Sequence, residues 1–130
     1  MADYTIKRFD EMEPMLGGAF RRARASLGAS AFGLQVIQMP AGADFHPNHD
    51  HTHDGQEEVY VVLSGSAEFE LDGDRTQVGP ETAVRVAPST KRRIVPGPDG
   101  VRILAVGGVP GGVYQSPPFT ELGAPDPSAA

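Results

Sequence analysis

From residue 32 onward the apolar residues of this chain come in short runs bounded by glycine and proline. "FGLQVIQM" (32–39) runs into Pro40-Ala41-Gly42, and "EVYVVLSG" (58–65), β-branched and aromatic, stops at Gly65. Such residues suit a pleated, half-buried surface. "AEFEL" (67–71) alternates apolar and acidic positions and meets Asp72-Gly73, a strong hairpin signal. "RTQV" (75–78) precedes Gly79-Pro80, "TAVRVAP" (82–88) closes on Pro88, and "RRIV" (92–95) follows the turn-like "PSTK". "VRILAVGGV" (101–109) follows the loop "PGPDG". About seven short strands, one roughly every ten residues, predict an all-β sandwich or small barrel.

The ends of the chain read differently. "FRRARASLG" (20–28) holds good helix formers, and Gly28 is placed to end a short helix. Arg21, Arg22 and Arg24 are expected to form a solvated face. The tail "SPPFTELGAPDPSAA" (116–130) is rich in proline and small residues, and disorder is expected over its last eight or so positions. The expected organisation is an N-terminal extension packed on the barrel (1–31), the barrel (32–115) and a partly disordered tail (116–130). "VGGVPGG" (106–112) lacks the lysine and the following helix of a phosphate loop and reads as a turn.

Composition narrows the partners. The chain has 130 residues, one ordinary domain, with 11 basic and 17 acidic side chains and a net charge of −6. That argues against nucleic acid, whose phosphates need basic partners, and against an anionic membrane surface. No stretch approaches 18 apolar residues, and the N-terminus has no apolar core of a secretory signal, so a cytoplasmic protein is expected. With no cysteine, any metal must be held by nitrogen and oxygen. The 16 glycines and 12 prolines imply many turns.

All four histidines, His46, His49, His51 and His53, fall in "HPNHDHTHDGQEE" (46–58). Residues two apart on a strand face the same way, so His51 and His53 would present two imidazoles to one side. Glu58 opens the next strand and shares a face with Tyr60, Val62 and Ser64, while Glu57 faces the other side and reads as a surface acid. Two imidazoles and a carboxylate suit a divalent transition metal: iron, manganese, nickel, copper or zinc. The plain alternative is an exposed polar loop that happens to be rich in histidine.

The segment resembles the first signature of the cupin superfamily. That signature is H-x-H, three or four residues, E, six residues and G, here His51-Thr52-His53, Glu58 and Gly65. "GPETAVRVAPSTKRRIV" (79–95) is similar to a degenerate second signature. The resemblance covers roughly residues 33 to 108 and implies a jelly-roll β-barrel, RmlC-like, with a metal held by His51, His53 and Glu58.

The second signature normally ends in a histidine ligand, where this sequence has Arg92. Arginine has no lone pair to give a metal. Three arrangements stay open. His51, His53 and Glu58 hold a metal, with Arg92 as an anchor for a substrate carboxylate. Alternatively there is no metal, and Arg92 pairs with Glu58 inside the barrel. In the third, the register is shifted, with His49 and His51 as the pair. Tyr60 is a candidate cavity-lining residue, and His46 is expected to be structural. The resulting expectation is a small cupin that binds a metal and a small polar or carboxylate-bearing molecule, with oxygenase or isomerase chemistry. The alternative is a metal-free, non-catalytic ligand-binding or accessory module. Pairing of open sheet edges makes a homodimer an expected assembly.

Overall fold

A computed structural model describes residues 2–127 of the chain. Seven strands form one sheet: β1 (Pro14–Met15), β2 (Phe20–Arg21), β3 (Gly33–Met39), β4 (Glu57–Leu71), β5 (Asp74–Val78), β6 (Thr82–Val86) and β7 (Arg92–Gly108). All pair antiparallel in the order β1-β2-β3-β7-β4-β5, with β6 also on β4. Among the described residues helix is confined to α1 (Ala23–Leu27) and three single 3₁₀ turns. The fold is the all-β architecture that the sequence predicted.

β4 and β7 are the spine. One edge of β4 carries β6 along its first half and β5 along its second, while β7 runs along the other edge throughout. A strand that serves both halves of a barrel has to bend. The register slips between Val62 and Ser64 and between Gly65 and Ala67 mark the bend. Gly65 sits there at φ +70°, and a Cβ at this position would stand 2.1 Å from the Gly100 carbonyl oxygen. The glycine read as a strand end is therefore a bend within one strand. Likewise "PGPDG" (96–100), read as a loop, continues β7 and joins the two segments expected on either side of it. The Asp72-Gly73 hairpin is present, with φ of 50° and 88°.

Side-chain alternation gives the barrel its core. Tyr60, Val62, Ala67 and Phe69 of β4 face Ile94, Val101, Ile103 and Ala105 of β7, with Ile37 and Met39 of β3, and all are buried. Arg92 continues this inward row at the start of β7 and has no exposed surface. On the outer face Met12, Ala23 and Val36 form a second cluster, through which the N-terminal segment packs on β3 and β7.

The N-terminal arginines depart from the expected solvated face. Arg22 and Arg24 are buried, at 3% and 7% exposure. Arg22 donates to the carbonyls of Phe119 (2.9 Å) and Ala124 (3.0 Å) and pairs with Glu13. Arg24 donates to Glu121 (3.0 Å) and to the Ala29 carbonyl (3.0 Å). Glu13 accepts from the Gly123 amide at 2.7 Å, and Asp126 accepts from the Leu16 amide at 2.8 Å. The arginines thus tie the tail to the N-terminal segment, because they satisfy carbonyls that a strandless tail cannot pair with itself. Of the positions expected to be disordered, Gly123, Ala124 and Asp126 make these bonds, and 128–130 lie outside the described residues.

Candidate metal centre

The histidine segment is anchored on the start of β7. His49 and Arg92 exchange backbone hydrogen bonds of 3.0 and 2.8 Å, and the His51 amide donates to the Pro88 carbonyl at 2.8 Å. The chain then turns at 52–55, with the Gly55 amide on the His51 carbonyl, and enters β4 at Glu57. The four imidazoles follow one another, with successive ring centroids 5.4, 5.2 and 5.6 Å apart.

The ring nitrogens separate their roles. His49 Nδ1 lies 2.9 Å from the Pro47 carbonyl, so it carries the proton and leaves Nε2 with its lone pair. His51 Nδ1 lies 3.0 Å from Asp54, which Gln56 also contacts at 2.9 Å, while His51 Nε2 faces Glu58 at 3.0 Å. A carboxylate behind a ligand imidazole is the usual way to fix its orientation. His46 is the reverse case. Its Nδ1 accepts from the Ile94 amide at 3.1 Å, so the proton sits on Nε2 and no lone pair is left. Burial, helped by the charge of His49, pushes the His46 pKa down to about 4. It is the structural histidine expected.

Glu58 receives three groups on one oxygen. The Tyr60 hydroxyl donates to Oε1 at 2.6 Å, His51 Nε2 lies at 3.0 Å and Arg92 Nε at 3.7 Å. Burial raises the Glu58 pKa, but the bonds from His51 and Tyr60 and the His51 and Arg92 charges outweigh it and hold the carboxyl below its ordinary value. His51 shifts the other way: burial lowers it, and Glu58 and Asp54 together carry it above its ordinary value. Burial beside Glu58 pushes Tyr60 well up, so it stays a donor.

One nitrogen or oxygen each from His49, His51 and Glu58 lies within 4.8 Å of the others. His51, His53 and Asp54 form a second such group. His51, His53 and Glu58 together are not among the groups of this kind in the described residues. His53 is mostly exposed, at 72%, and lies against His51 and 3.5 Å from Asp54. The His49, His51 and Glu58 donor set is of the right type for a divalent transition ion, and three of its polar groups are already oriented.

Arg92 does not reach the cavity above these groups. Its terminal nitrogens donate to the carbonyls of Thr90 (2.9 Å) and Ala87 (3.2 Å), and its Nε points toward Glu58 without a hydrogen bond. Its charge serves Glu58, and no described contact turns it toward a substrate carboxylate. Glu57 pairs with Arg85 at 2.7 Å on the outer side. Tyr60 both belongs to the core and lines the cavity.

That cavity has a volume of about 620 Å³. One end is formed by His49, His51, Gln56, Glu58 and Tyr60, and the N-terminal segment (Met15, Phe20) and the tail (Pro117, Phe119) roof it. Asp54, Gln56 and the roof were missed from the sequence. Asp54-Gly55 signalled a turn, but nothing signalled which histidine that turn would orient.

The cupin domain family model matches residues 35–107 of the chain. The chain is a cupin. Solved structures of other cupins share its fold. A cupin protein from Bacteroides fragilis is 23% identical, with a TM-score of 0.71, over 90% of this chain and 93% of its own. A sugar phosphate isomerase of the cupin superfamily from Silicibacter pomeroyi is 20% identical, with a TM-score of 0.67, over 80% of this chain and 75% of its own. An RmlC-like cupin from Desulfovibrio desulfuricans is 22% identical, with a TM-score of 0.54, over 62% and 74%. No curated protein sequence matches this cupin significantly. At these identities the likeness is one of fold, and activity has to be argued from the site.

Proposed function

We propose that this cupin binds one divalent transition metal through His49, His51 and Glu58 and acts on a small molecule seated in the adjoining cavity. The observation that carries the reading is the convergence of three ligand atoms within 4.8 Å at the polar end of a cavity of about 620 Å³. A bound ion would supply Lewis acidity to a ligand oxygen and leave positions open for it. The chain's own groups do the rest. Pro47 and Asp54 hold the two imidazoles by Nδ1, which leaves His49 Nε2 with its lone pair and directs His51 Nε2 at Glu58, and Tyr60 and Arg92 hold Glu58 ionised in a buried place. Among cupin chemistries, isomerisation or oxygenation of a carbonyl or hydroxyl compound fits such an end.

A second reading keeps the cavity and dispenses with the metal. It is favoured by the three groups already gathered on Glu58 Oε1, which satisfy that oxygen without an ion. Elemental analysis of untagged protein, purified without a metal column, separates the two. About one equivalent of iron, manganese, nickel, copper or zinc is expected. His49→Ala and His51→Ala should lose it, while His46→Ala and His53→Ala keep it. Less than a tenth of an equivalent after incubation with each ion would leave the metal-free binding module.

A further inference from the structure

The walls of the cavity bear on what it takes. Beyond the histidines, the acids Asp54 and Glu58, and the uncharged polar side chains of Gln35, Gln56 and Thr120, its surface is mainly aliphatic and aromatic, with Met15, Phe20, Ile37, Met39, Phe45 and Phe119. Among the described residues no lysine or arginine lines it. The arginines that sequence places nearby are committed elsewhere. Arg22 and Arg24 hold the tail, and Arg92 holds two carbonyls and faces Glu58. The two acids that do line it, Asp54 and Glu58, add negative charge at its polar end. His46 Nδ1 is taken by the Ile94 amide, and His49 Nδ1 by the Pro47 carbonyl. A phosphate or sulfate entering here would leave its hydration shell and find no lysine or arginine side chain to replace it, with only the proposed ion to offset its charge. An apolar body would bury its surface against carbon on most sides.

We infer that the molecule this cavity takes is uncharged and largely apolar, with a single oxygen-bearing end met by His49, His51 and Glu58. A phosphorylated sugar does not fit it. The inference rests on reading the cavity as the binding site, and it names the substrate class of that site. The apolar wall selects the body of the molecule, and the polar end fixes its direction. Phe119 belongs to the wall through the tail and touches Phe20 with ring centroids 6.2 Å apart, so the roof contributes to selection as well as to closure.

Calorimetric titration of the full chain tests this with two homologous series. Straight-chain hydroxamic acids from acetyl to octanoyl are uncharged in solution near neutral pH and chelate an ion with release of one proton to the buffer, and n-alkanols of the same lengths carry the chain without chelation. Affinity in both series is expected to rise about fourfold for each added methylene until the cavity is filled. Glucose 6-phosphate and inorganic phosphate are expected to bind at least about a hundredfold more weakly than octanohydroxamic acid, in line with the missing cationic donors. Phe119→Ala should flatten the gain at the long end of both series. An affinity that does not depend on chain length, or glucose 6-phosphate binding more tightly than the longest hydroxamate, would overturn the inference. The alkanol series keeps it apart from the metal reading. A metal-free protein that still shows the chain-length gain loses the proposed metal and retains this ligand class. A metal-loaded protein without the gain does the reverse.

Discussion

Three groups meet on one oxygen of Glu58, and two of them, His51 and Arg92, are cations or can become so. The carboxylate is therefore the counter-charge of a buried guanidinium whose remaining nitrogens are fixed on carbonyls. Glu58→Gln keeps the shape and removes that charge. In chelator-treated protein it is expected to lower the stability by about 3 kcal/mol, the cost of breaking a buried pair from one side. An unchanged urea midpoint would show that Arg92 does not depend on Glu58. The pH dependence follows from two opposite shifts. Glu58 lies below its ordinary value, so its contribution is present above about pH 4.3 and is lost as pH falls through the depressed value. His51 lies above its ordinary value, so its contribution is complete below about pH 6.5 and is lost as pH rises through the raised value. The metal-free chain should be most stable between the two, on the acid side of neutrality. A metal must displace the proton that His51 shares with Glu58, so its affinity should fall about tenfold per pH unit below the raised His51 value. Metal titrations that give one affinity from about pH 5.5 to 8 would remove His51 from the ligand set. Which histidines can serve was not legible from spacing, because His49-Asp50-His51 and His51-Thr52-His53 have the same pattern. The nitrogens were assigned by Pro47, Asp54 and Ile94, whose places depend on how the segment docks on β7.

At the scale of the element, the apolar runs located every barrel strand from β3 to β7, since period-two alternation is a property of the local sequence. Their ends were not all legible. Gly65 and "PGPDG" carry the chemistry of turns, yet β4 and β7 continue through them, paired to each other over both halves. Whether a glycine stops a strand or bends it is decided by the partner strand, which local sequence does not contain. Gly65 is required by that partner. Gly65→Ala puts a methyl group 2.1 Å from the Gly100 carbonyl oxygen at a φ of +70°. A loss of at least about 2 kcal/mol in thermal or urea unfolding is expected from strain of this kind. A variant as stable as the parent would mean that the β4–β7 approach is looser than described.

Over the whole molecule, the two ends of the chain close the barrel. Arg22, Arg24, Glu13 and Glu121 fasten the tail to the N-terminal segment, and both ends contribute residues to the roof of the cavity. The Gly123 amide, with Arg22, holds Glu13 below its ordinary pKa, and the Ser116 hydroxyl, with Arg24, does the same for Glu121. Groups with depressed values stabilise the fold above the ordinary carboxylate range and stop doing so as pH falls through the depressed value. The tail should therefore detach below the ordinary carboxylate range, before the barrel unfolds. Hydrogen exchange would show it as early loss of protection at the Gly123 and Ala124 amides while the β4 amides stay protected. Simultaneous loss at both would make the tail part of the barrel's own cooperative unit.

By itself the sequence determined the barrel and the segment that carries its chemistry. Alternation, turn residues and the clustering of histidine beside Glu58 are local properties, and a strand reads its own pattern. Only the tertiary structure decided which imidazoles keep a free nitrogen, that Arg92 faces Glu58 and backbone carbonyls, and that Arg22 and Arg24 lie buried under the tail. These depend on partners that range from two to about a hundred residues away in the chain, and even the near ones are placed by how the segment docks on β7. Charge and hydrogen-bonding capacity are written in a residue, but where they are spent is set by what folds against it.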